Sequence, residues 1–251
     1  MFTAKRQVAT VVGNCLRMLP GSPVAGQRVL MYHAVGNRVD GDINNIYTMS
    51  RTDFLRHIET LQTVSAKRNM PFAPFRQSNN TEIAVTFDDG YADALSTIGP
   101  ELSKRGIPFH VFVTPEKLTS GDPRYLSTPE LRELATIPGA TIGAHGATHR
   151  SLTSLSIADA EADLRSSKQQ LEDILQTPIT TMSYPYGHVN ELVREAAQRV
   201  GFTVAACSKW GVNNEHSDAL LLNRLDMWAG DNSRTIENKV LGYWNFLGRR
   251  T

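Results

Sequence analysis

The sequence predicts one α/β domain, a distorted (β/α)7-like barrel, on three observations. Short runs of β-branched and aromatic residues alternate with longer segments of helical periodicity. About seven such strands can be drawn, which suits a barrel better than an open sheet. Unusual polar residues fall where those strands end. With 251 residues and 41% hydrophobic content, the chain can bury one large core without a second domain. Residues 1–27 read as an N-terminal extension and 28–251 as the barrel domain.

Residues 28–35, RVLMYHAV, form the first expected strand. Ser50 and Asp53 make a capping box, after which Phe54, Ile58 and Leu61 recur at helical spacing. Residues 83–87 are almost continuously apolar, as a strand covered on both faces should be, and 92–105 read as a helix stopped by Gly106. The rhythm repeats with strand 109–113, a helix from Thr128 with Pro129 at its first position, strand 140–144 and a long helix over 156–175. Strand 180–184, helix 189–200, strands 202–206 and 221–227, and a terminal helix over 233–247 complete the pattern.

Lysine plus arginine total 26 against 25 acidic residues, and a net charge of +1 leaves no electrostatic footprint for nucleic acid. Cys15 and Cys207 offer neither a CxxC pair nor a disulfide framework and read as small apolar residues. Near the N-terminus, Asn14 and Arg17 interrupt a weakly apolar stretch before the core of a signal peptide accumulates. No run of about 18 apolar residues is present, so no transmembrane helix is expected. A cytoplasmic location, with action before export, is the expectation. Residues 7–19 suit a short amphipathic helix that packs on the domain or touches a membrane surface.

His33, Asp88-Asp89-Gly90, His145 and Tyr184-Pro185-Tyr186-Gly187 all sit at or just beyond C-terminal strand ends, the face that carries active sites in such barrels. Adjacent carboxylates repel unless a cation or a proton separates them, although an Asp-Asp-Gly turn alone is equally a solvated turn. His145 and His149 stand four apart, close enough for both imidazoles to reach one cation. Two histidines and one carboxylate make a ligand set with open positions for water and substrate. Residue types alone leave open which aspartate is the ligand.

Thr86-Phe87-Asp88-Asp89-Gly90, then His145-x-x-x-His149, then Pro185-Tyr186-Gly187 resemble, in this order, the polysaccharide deacetylases of carbohydrate esterase family 4. The similarity runs over residues 28–228. The resemblance implies that Asp88 is the general base and that Asp89, His145 and His149 hold a divalent metal, zinc first and cobalt or nickel next. It also implies that the Tyr186 backbone N–H helps bind the oxyanion. The implied reaction is hydrolysis of N-acetyl groups on amino sugars, or occasionally of an O-acetyl group.

Two positions depart from that pattern. Ser183 stands where many members carry an arginine, and no histidine follows His216, where a late Leu-x-His would supply the acid. The late segment reads LLNRLDM, with Arg224 and Asp226. The early Tyr32-His33-Ala34-Val35 resembles the biofilm poly-N-acetylglucosamine deacetylases, which implies His33 as the general acid. Arg224 is then expected to pair with Asp88 and keep it ionised.

His57, His110 and His216 read as structural, whereas His188 follows the Pro-Tyr-Gly segment and could touch substrate. Tyr32, Tyr184, Trp210 and Trp228 lie near strand ends and suit either core or sugar-ring platforms. Ile236, Val240, Leu241, Trp244 and Leu247 make a core stripe. The expected substrate is an N-acetylated polysaccharide or oligosaccharide, an exopolysaccharide or its lipid-linked precursor. Peptidoglycan, chitin or xylan would demand the same chemistry. A non-catalytic carbohydrate-binding barrel is the contrasting class, and a full ligand set opposes it.

Overall fold

The computed structural model describes residues 2–16 and 24–249. Its strands are β1 (Gln27–Tyr32), β2 (Ala34–Val35), β3 (Thr48–Met49), β4 (Glu82–Phe87), β5 (Phe109–Val113), β6 (Ala140–Ala144), β7 (Thr181–Ser183), β8 (Val204–Ala206) and β9 (Leu225–Asp226). The helices are α1 (Phe2–Leu16), α2 (Arg51–Arg68), α3 (Gly99–Ser103), α4 (Pro115–Leu118), α5 (Thr128–Ala135), α6 (Ile157–Leu175), α7 (Glu191–Val200) and α8 (Ser233–Val240). Seven strands pair in parallel in the order β8-β7-β6-β5-β4-β1-β9, and β2 pairs separately with β3.

The seven-stranded sheet curls until its edges meet. Leu222 N donates to Ala205 O and Cys207 N to Leu222 O, so the chain just before β9 lies along β8. Three residues later Leu225 and Asp226 pair with Leu30 and Met31 of β1. The expected strand 221–227 therefore shortens to Leu225–Asp226, because its first half must leave β8 before its second half reaches β1. The distorted (β/α) barrel is the observed architecture. Its strands are covered by helices, and β1, β4 and β5 are buried along their whole length, which accounts for their apolar runs.

Local signals act as expected at several helix starts. Ser50 Oγ accepts from Asp53 N and Ser156 Oγ from Asp159 N, while Ser127 and Glu130 form a reciprocal capping box. Three further expected elements differ. Strand 28–35 breaks at His33, because Val35 N turns to Asp93 Oδ2 and the following residues pair with β3. Helix 92–105 begins with a π-helical turn, Ala94–Ile98, before α3. The terminal helix ends at Val240, where Gly242 adopts φ 85°, and a 3-10 turn follows at Asn245–Arg249.

Ile236, Val240, Leu241 and Trp244 are buried, as the stripe predicts; the Leu247 side chain lies outside the described residues. Lys239 is fully buried too, with Nζ 2.5 Å from Asp231 and 3.8 Å from the centre of the Trp228 ring. The helix expected within 7–19 spans Phe2–Leu16, and residues 17–19 lie outside the described residues. It packs Ala9 and Gly13 inward and leaves Val8, Val11 and Cys15 exposed, so Cys15 is not a core residue. Among the described residues no helix is long and apolar enough to cross a membrane.

Candidate metal and catalytic centre

The parallel register brings the C-terminal strand ends to one rim: Tyr32 lies opposite Phe87, Val113 opposite Ala144 and Ser183 opposite Ala206. Asp88 N still donates to Tyr32 O, so Asp88 is fixed by the sheet. Asp89 then takes φ 75° and Gly90 φ 73°. The left-handed region is tolerated by aspartate and easy for glycine. This sharp turn sends two consecutive carboxylates in different directions, which relieves the repulsion that the Asp-Asp pair would otherwise suffer.

Asp88 meets Arg224. Nη1 donates to Oδ1 at 2.7 Å and Nη2 to Oδ2 at 2.8 Å, a bidentate fork in which both side chains are buried. The guanidinium is itself aimed by Nε donating to Cys207 O at 3.0 Å and by Nη2 donating to Ser183 Oγ at 2.7 Å. Burial pushes the Asp88 carboxyl up, but the Arg224 guanidinium beside it outweighs that and holds the group below the usual carboxylate range. Ser183 Oγ also donates to Asp88 Oδ2 at 3.3 Å, so the serine joins both members of the pair.

Asp89 meets the histidines. Its Oδ1 lies 2.9 Å from His149 Nε2 and 3.4 Å from His145 Nε2, and ligating atoms of the three residues all fall within 4.8 Å of one another. His145 Nδ1 lies 2.8 Å from Ser183 O, an acceptor, so this nitrogen carries the proton and Nε2 keeps its lone pair for a cation. The intervening loop is held by Asp163, which accepts from Ala147 N at 2.8 Å and from Thr148 N and Oγ1 at 3.2 and 2.7 Å. A carboxylate and two imidazole nitrogens converging on one point, oriented by Ser183 O and Asp163 behind them, fit a divalent cation.

His33 lines the same cleft of about 510 Å³, together with Asp88, Asp89, His145, His149 and Arg224. Its ring packs on Tyr47 at 4.7 Å between centroids, and its buried Nδ1 has no hydrogen-bond partner among the described residues. Asp226 also lines the cleft, and burial raises its carboxyl despite the opposing charge of Lys239. Opposite them, Tyr186 takes φ 59° within the 3-10 turn Pro185–Gly187 and stands 59% exposed. Gly187 also needs a positive φ, and a Cβ there would collide with Ser208.

The polysaccharide deacetylase profile matches residues 76–205, more than half of the chain. The chain belongs to the polysaccharide deacetylase family. Among curated proteins, one named as a polysaccharide deacetylase, YxkH of Bacillus subtilis, is 24% identical over 80% of this chain and 71% of its own length. Solved structures with the same fold include IcaB from Ammonifex degensii, at TM-score 0.73 and 21% identity over 86% of this chain and 97% of that one. The Streptococcus pyogenes deacetylase PplD superposes at TM-score 0.72 and 18% identity over 87% and 99%.

Within this polysaccharide deacetylase, the remaining candidates fall outside the centre. His57 and His110 are buried, and burial lowers both to about 4. His216 is exposed in its loop, and His188 Nδ1 lies 3.0 Å from Ser151 Oγ, outside the lining of the cleft. Tyr32, Tyr184 and Trp228 are buried, which decides for the core between the two readings open at those positions. Trp210 stacks on Trp244 at 5.6 Å. Sequence reasoning did not single out Asp163 or Asp93, and met Ser183 only as a departure from the family pattern. The one local signal for Asp163 is its place near the start of the helix that follows the two histidines.

Proposed function

We propose that this deacetylase is a metal-dependent hydrolase that removes N-acetyl groups from amino-sugar residues of an exopolysaccharide or of its lipid-linked precursor. The observation that carries the reading is the division of labour between Asp88 and Asp89. One carboxylate is clamped ionised by Arg224, and its neighbour faces two imidazoles. Asp89, His145 and His149 would hold a divalent cation, zinc by its donor set or cobalt or nickel, which when bound acidifies water and polarises the acyl carbonyl.

Asp88 then takes the proton of the attacking water, a task for which the Arg224 fork keeps it deprotonated. The Tyr186 backbone N–H, on the turn stiffened by Pro185, faces the developing oxyanion. His33 gives a proton to the leaving nitrogen as the C–N bond breaks, so amide and water become free amine and acetate. The test is acetate release from defined N-acetylated oligosaccharides with added zinc, cobalt or nickel, by wild type and by Asp88→Asn. Release by wild type that Asp88→Asn abolishes supports the reading; release that Asp88→Asn leaves unchanged overturns it.

A further inference from the structure

We propose that Asp93 is a positioning residue that holds the proton donor His33 over the reacting centre. The proposal rests on the assignment of His33 as the acid. Among the described residues no hydrogen bond orients the buried Nδ1 of His33, so the ring owes its place to the backbone on either side and to the Tyr47 face. Upstream that backbone is fixed by the sheet, where Tyr32 O accepts from Asp88 N at 3.0 Å. Downstream the seven-stranded sheet lets go, the short β2 pairs with β3 through Gly36 N donating to Met49 O at 2.8 Å, and one carboxylate oxygen ties this turn back to the segment that carries Asp88 and Asp89. Asp93 Oδ2 accepts from Val35 N at 2.8 Å and from Asn37 N at 3.1 Å.

Asp93 is four residues from Asp89 and opens the π-helical turn Ala94–Ile98, so a single short segment carries the base, a candidate ligand and this latch. Single π-helical turns inside helices recur at functional sites. The carboxyl is 4% exposed, and its Oδ1 has no hydrogen-bond partner among the described residues. Burial lifts the group to about 6 against the two N–H donors. A buried carboxyl without a cation is a poor choice for stability alone, because a neutral side chain would fill the same space without the desolvation. It makes sense where the course of the chain just after His33 must be set.

Asp93→Ala is expected to lower kcat for an N-acetylated oligosaccharide by about tenfold to hundredfold, as a misplacement of roughly 1 Å does, with KM and bound metal unchanged. An aryl acetate, whose phenolate leaves without a proton, should be hydrolysed by the variant within about twofold of wild type, since only the acid step is impaired. Asp93→Asn keeps an acceptor oxygen in place and should recover most of the amide rate. His33→Ala should show the same split between the two substrates. A split in His33→Ala with equal losses, or none, in Asp93→Ala overturns the positioning role alone. An unsplit His33→Ala removes the acid assignment and the positioning role with it. Should Asp93→Ala fail to fold, Asp93→Ser, too short to reach both N–H groups, is read by the same criteria.

Discussion

Arg224 and Asp88 join strands on opposite sides of β1 through two parallel hydrogen bonds of 2.7 and 2.8 Å, buried from solvent. Replacing Arg224 by glutamine strands a buried carboxylate, a change that typically costs about 3–5 kcal/mol. In wild type the Asp88 carboxyl is held below its ordinary value, so the pair's contribution is present above that value and is lost as pH falls through the folded one. Without the guanidinium, burial dominates and the carboxyl rises. The acidic limb of the pH–rate profile of Arg224→Gln should therefore move upward, with a lower denaturant midpoint. An unmoved limb would show that the fork does not tune the base.

Zinc should raise the melting temperature of wild type, because a ligand bound only by the folded chain stabilises it by mass action. His149→Ala leaves Asp89 and His145 as the remaining donors and should lose most of that shift along with activity. Melting curves with and without zinc and a chelator check this, and an undiminished shift in the variant would place the metal elsewhere.

Asp163 contacts the backbone between the two histidines rather than the candidate metal. Asp163→Ala is expected to weaken metal affinity by about tenfold to hundredfold, as losses behind a ligand do, while saturating metal restores most of the rate. Metal titration by calorimetry reads the effect directly.

His33 and His188 are distinguished by position. At equal metal occupancy His33→Ala should lose about a hundredfold or more in amide hydrolysis, the usual span for a general acid. His188→Ala, whose imidazole meets Ser151 outside the cleft, should stay within severalfold. A near-wild-type rate for His33→Ala would sink the acid assignment.

His110 lies between Phe75 and Phe112, and burial lowers it to about 4. The unfolded chain then binds a proton near 6.5 that the folded chain refuses until about 4, so stability is full above 6.5 and is lost as pH falls through that window. Between pH 7.5 and 5 His110 accounts for a loss of about 2 kcal/mol, beside a similar share from His57, and His110→Phe should remove its own share only. Parallel denaturant titrations at the two pH values give the comparison.

The centre was legible in the sequence to the extent that its chemistry is local. Asp88-Asp89-Gly90 and His145 to His149 are short segments at the ends of runs whose periodicity is visible within a few residues, and β5 and β6 lie where that periodicity puts them. The pairing of Arg224 with Asp88 was anticipated from an unfilled position, but its bidentate geometry and burial were not. Tyr32 and Tyr184 show the limit in the other direction: a strand-end aromatic reads the same whether it faces a cleft or the core, and the packing of helices decides.

What the sequence by itself determined is the succession of strands and helices, because hydrophobic period and capping residues act between neighbours. It also determined the order of chemical groups along the rim, because a parallel barrel sends every strand's C-terminal end to one face. Only the tertiary structure decided the break after His33, which depends on Asp93 nearly sixty residues away, and the closure of the barrel by β9. The partners that orient the candidate ligands, Ser183 behind His145 and Asp163 behind the loop, were settled there too. These contacts join residues distant in sequence, and their geometry exists only once the register of the strands has been set.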